Sequence, residues 1–155
     1  MRAGLRHTLG EAGVLVAVVL ALGPLSGCTS YTGSKANQVR QWASIALVTS
    51  NDNLVVQDIA AIKRSLRAKK FLDVTSNCSG LVFDTGTAYG NLPTPDNTLT
   101  NELNVAYEDF ASAGSSCAAV RSLHSRRITA ALATIGVGVA SLDKAARRLA
   151  ADGVH

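Results

Sequence analysis

Beyond residue 35, apolar side chains recur at alternating steps of three and four, the period of one helix face. The clearest seam is Phe71, Val74, Cys78, Leu81, Thr85, Ala88 and Leu92. A second runs Leu99, Leu103, Ala106, Phe110, Ala113, Cys117, Val120 and His124; a third runs Ile128, Leu132, Ile135, Val139, Leu142, Ala146 and Leu149. The earliest part is less regular, with Val39, Trp42, Ala43, Ala46 and Leu47 in one group and Val55, Ile59, Ile62 and Leu66 in another. Thr49-Ser50-Asn51-Asp52-Asn53 lies between them, offers several helix caps and predicts a break, one kinked helix being the alternative. Leu92-Pro93-Thr94-Pro95-Asp96 cannot continue a helix, because each proline removes a donor and restricts the residue before it. Asp96 is a natural N-cap for the helix carrying the second seam, and Gly153 suits a helix end. No alternating strand pattern competes. The expected fold is all-α: an antiparallel bundle of four to five helices, a single domain over residues 35–152.

The first 27 residues obey a different logic. Arg2 and Arg6 give a positive start, Val14 to Leu22 is an unbroken apolar run, and Gly23-Pro24 ends it ahead of small residues. This is the three-part pattern of an export signal. A transmembrane helix needs about 20 apolar residues, more than this run supplies. Leu25-Ser26-Gly27-Cys28 then resembles the lipobox of bacterial lipoproteins. That resemblance implies cleavage between Gly27 and Cys28 and a lipid on the Cys28 sulfur. It also implies an exported protein held on the extracytoplasmic face of the cell membrane. Two or three acyl chains make such an anchor stable where one is only reversible. Residues 28–34 are then the lipidated cysteine and a short polar tether.

Composition narrows the picture further. The chain has 155 residues, 47% hydrophobic and 17% charged, with three cysteines and a net charge of +4. Without the signal the balance is 13 basic to 10 acidic groups, too even for an obligatory nucleic-acid binder. If Cys28 carries lipid, Cys78 and Cys117 remain as one possible disulfide in an oxidising compartment, the alternative being two buried thiols. Both lie on helical seams. If they are bonded, their unequal distances from the Pro-Thr-Pro linker, about 20 and 30 Å of helix, predict that the linker runs lengthwise before the next helix starts.

Candidate chemistry is sparse. Outside the signal only His124 and His155 remain, too few for a zinc triad, and no haem or di-iron motif is present. No cofactor, metal or catalytic constellation is inferred. His124, near Ser115, Ser116 and Ser125, and Asp58, beside the Val55–Ile62 seam, are the polar groups to watch. Asp58 is expected to pair with Lys63 or Arg64, and His124 to pack at a helix end. Gly136 and Gly138, inside the last helical stretch, predict close helix packing rather than a phosphate loop. Basic residues cluster at Lys63, Arg64, Arg67, Lys69 and Lys70, and again at Arg121, Arg126 and Arg127. They read either as solvated helix ends answering a C-terminal dipole or as a surface for anionic lipid or an acidic wall polymer.

The stretch carrying Cys78, Leu81, Leu92-Pro93-Thr94-Pro95-Asp96, Leu99, Leu103, Ala106 and Cys117 resembles small actinobacterial lipoproteins of unassigned function. The resemblance implies an exported helical module whose paired cysteines flank a Leu-Pro-x-Pro-Asp turn, with no catalytic residue to transfer. Asn97 stands here where those relatives often place proline. The expected function is a membrane-anchored interaction or accessory module. Its partners are the membrane, through the lipid, and an envelope protein or wall polymer. A carrier of a small apolar ligand within the bundle is the alternative.

Overall fold

Three short polar side chains start three of the helices by accepting backbone N–H groups that the first turn leaves unpaired. Ser34 accepts from Asn37, Asp96 from Thr98 and Leu99 at 2.7 and 3.0 Å, and Ser125 from Arg127. The computed structural model describes residues 30–155. The expected signal, residues 1–27, and Cys28 lie outside the described residues. Five helices result: α1 (Lys35–Ile45), α2 (Val48–Arg67), α3 (Phe71–Tyr89), α4 (Asn97–Ala118) and α5 (Arg126–Ala151). α2 to α5 pack in chain order, each against the next, as an antiparallel bundle.

Residues 35–67 form two helices, not one kinked helix, and the break falls earlier than the cap-rich stretch suggests. Leu47 takes a left-handed conformation (φ 50°) between Ala46 and Val48. Thr49 to Asn53 are already helical. Asn51 acts backwards, its amide donating to the Ala46 carbonyl at 2.9 Å and so satisfying the end of α1.

Cys78 and Cys117 are joined, with Cα atoms 5.8 Å apart, and staple α3 to α4 as anticipated. From the bond, α3 runs on for about 17 Å whereas α4 reaches back about 30 Å. The linker therefore covers roughly 13 Å along the axis. Thr94 is buried within it, its hydroxyl donating to the Asp96 carbonyl and accepting from the Asp96 N–H. α1 closes this stepped end. The Trp42 indole donates to the Asn91 carbonyl at 2.9 Å, Lys35 to Pro95 and Arg40 to Asp152. Residues 31–33, within the expected polar tether, fold back on α1: Gln41 donates to the Thr32 carbonyl, Gln38 to that of Gly33, and Tyr31 packs on the core.

The α3 and α4 seams are buried as expected, from Val74 to Ala88 and from Leu99 to Val120. The seam ends depart from this: Phe71 and Leu92 are half-buried, with Leu92 beyond the end of α3, and His124 is exposed in the loop after α4, which ends at Ala118. The α5 seam is rotated from its expected position. Its buried face is Ile128, Ala131, Ile135, Gly138, Leu142, Ala145 and Leu149, while Leu132 and Val139 are half-buried and Ala146 is exposed. Ala131, Gly138 and Ala145 recur every seven residues, and small side chains there let α5 approach α4 closely. A Cβ on Gly138 would stand 2.6 Å from the Phe110 ring. By length and composition α5 is apolar enough to cross a membrane, but this face belongs to the bundle core.

Candidate functional site

The end of the bundle opposite α1 gathers the two basic clusters that lie some fifty residues apart in sequence. The C-terminus of α2, the start of α3 and the α4–α5 loop enclose an open groove of about 570 Å³. Leu66, Phe71 and Leu123 give it an apolar floor; Lys69, Arg121, Ser122 and His124 complete its lining. This end carries eight cations, Lys63 to Lys70 and Arg121 to Arg127, against one carboxylate, Asp73. Asp73 already pairs with Lys70 at 3.7 Å. The rest of residues 30–155 holds five cations against nine carboxylates, so the charge is strongly polarised along the bundle.

Local structure positions these groups. α2 stops in a Schellman turn, with the Lys69 N–H donating to the Leu66 carbonyl and the Lys70 N–H to that of Ser65. The turn requires a left-handed residue, usually glycine, yet Lys69 occupies it at φ 54°, which costs about 1 kcal/mol. Arg64 and Arg67 complement the negative end of the α2 dipole, as a solvation reading expects. Arg126 and Arg127 do not: they open α5, where the dipole is already positive and where the first turn has no acid. The second cluster thus leaves a field suited to anions.

The structure does not bring Asp58 and His124 together. Asp58 lies eight residues before Leu66, about 12 Å up α2 from the groove. Neither Lys63 nor Arg64 forms an ion pair with it. It lies instead beside Asp84, and a Cβ on Gly80 would stand 3.2 Å from its Oδ1. Its Oδ2 is buried without a partner. Desolvation, then hydrogen bonding and repulsion from Asp84, push Asp58 up to about 6. Asp52, which the seams did not single out, accepts from the buried Tyr107 hydroxyl at 2.7 Å and links α2 to α4. Burial pushes it up to about 6 as well, against the lowering effect of that bond.

Both raised acids hold protons in the folded state that the unfolded chain releases between about pH 4 and 6. Stability therefore rises as pH falls through this window. Asp52 contributes up to about 3 kcal/mol, and the more solvated Asp58 less. Asp96 acts oppositely: the Leu99 N–H holds its carboxyl below the usual range, so its contribution fades only at lower pH. The thermal midpoint is expected to be higher at pH 5 than at pH 7.5, with Asp52→Asn flattening the difference. A midpoint that falls on acidification to pH 5 would contradict this account.

Among the described residues, no group of three or more His, Cys, Asp or Glu is placed to hold a metal ion. No known family model, no curated protein and no solved structure matches the chain. Both basic clusters were visible in sequence; their convergence was not, because it depends on α2 and the α4–α5 loop ending at the same level.

Proposed function

We propose that the chain is an exported lipoprotein, anchored through Cys28, that acts as a helical interaction module and presents its basic groove away from the membrane. The observation that carries this reading is polarity of placement. The described chain begins at the α1 end, and the groove lies at the other, separated by the roughly 30 Å length of α2. Tyr31 to Gly33, three to five positions after Cys28 in the sequence, are held on α1. A lipid there draws the α1 end to the bilayer. Ile45 and Leu47, each 62% exposed at that end, offer apolar contact to it.

On this reading the basic end faces the envelope rather than anionic lipid of the anchoring membrane. The alternative, a carrier of a small apolar ligand, draws less support, because the groove is open at a bundle end and lined by cations. Cys28→Ser is the direct test. The wild-type protein is expected in the membrane fraction with a diacylglyceryl mass on its N-terminal cysteine, and the variant in the soluble exported fraction. Retention of the variant in membranes, or an unmodified wild-type cysteine, would overturn the anchor.

A further inference from the structure

We infer that the groove at the α2–α3 and α4–α5 end binds an acidic polypeptide segment of a partner protein, seated by a bulky apolar side chain on Leu66, Phe71 and Leu123. This rests on the outward presentation proposed above and adds the chemistry of the partner. Charge complementarity is the first argument: Lys69 and Arg121 line the groove, six further cations are exposed on the same end of the bundle, and the one carboxylate among them is already paired. Arg126 and Arg127 reinforce the positive end of a helix dipole.

The floor is the second argument. A polyphosphate or other purely anionic polymer satisfies the cations but leaves Leu66, Phe71 and Leu123 against water. A peptide of carboxylates around one aromatic or aliphatic residue satisfies both, the apolar side chain as anchor and the charges as steering rim. The volume lies within the range of about 300–1,000 Å³ usual for ligand sites. A second copy of this chain is set aside because two copies anchored by their α1 ends in one membrane cannot stack head to tail.

The test uses the full-length lipidated protein in nonionic detergent and fluorescence anisotropy of a labelled Glu-rich peptide with one central Phe. Two control peptides replace the Phe by Ala or every Glu by Gln. Saturable binding is expected to the first peptide and to weaken about tenfold or more with either control. Arg121→Glu and Lys69→Gly are expected to weaken it too. Lys69→Gly removes a cation while relieving a left-handed backbone, so its effect cannot be ascribed to unfolding. Equal binding of the Phe and Ala peptides would overturn the proposal. So would binding of inorganic polyphosphate or phosphatidylglycerol vesicles with none of the Phe peptide. The Cys28→Ser protein is expected to bind the peptide unchanged, so a failed anchor and a failed groove give different results.

Discussion

Replacing Cys78 and Cys117 together by alanine, or reducing the bond, is expected to lower the unfolding free energy by about 4 kcal/mol. The bond spans 39 positions, and on a chain-entropy account a loop of that size is worth this much because it restricts the unfolded chain. For a domain of this length the thermal midpoint should fall by roughly 12–20 °C. The core explains why the staple matters. Seven of the buried core residues are alanine, which buries little apolar area, and the α3–α4 linker crosses a long step before α4 begins. Urea titration with and without reductant measures the effect. A change below about 1 kcal/mol would mean that the unfolded chain is already compact across this loop.

The two glycines of α5 should respond in opposite senses to the same substitution. Gly138→Ala places a methyl 2.6 and 2.9 Å from ring atoms of Phe110 and 3.2 Å from the Ala106 carbonyl. Phe110 is fully buried and the carbonyl belongs to α4, so neither yields cheaply. Overpacking of this kind costs about 1–3 kcal/mol, more than the roughly 1 kcal/mol gained in helix propensity. Gly136→Ala meets nothing within 4 Å and should keep that gain. Gly114→Ala joins the destabilised class, since its methyl would stand 2.9 Å from the Cys78 carbonyl beside the disulfide. Chemical denaturation of the three variants should order them Gly136→Ala above wild type and the other two below it. Equal stability of Gly136→Ala and Gly138→Ala would remove the close-approach account of the α4–α5 interface.

The helical character of residues 35–152, the stop at Leu92 to Asp96 and the Asp96 cap came from residue order alone, because apolar period, proline and capping act within a turn or two of the chain. The same reach explains the readings that moved. Asn51 proved to cap the preceding helix end rather than mark a break, a choice set by the left-handed Leu47. In α5 both stripes satisfy a helical period; the neighbouring helix selected the one with Ala131, Gly138 and Ala145, since only small side chains fit against α4. Asp58 was singled out beside its seam, but the carboxylate that faces it, Asp84, sits on another helix. Asp52 escaped notice because Tyr107 comes from α4, 55 positions away.

The candidate groove divides in the same manner. Composition along the chain determined that two cationic clusters exist and that each lies at a helix boundary. Tertiary structure alone decided that they meet, that Leu66, Phe71 and Leu123 floor the space between them, and that α1 closes the opposite end. Local periodicity specifies which face of each helix is apolar. Where distant helix ends come to rest depends on linker length, the Cys78–Cys117 register and the close approach at Gly114 and Gly138, none of which acts until the helices pack.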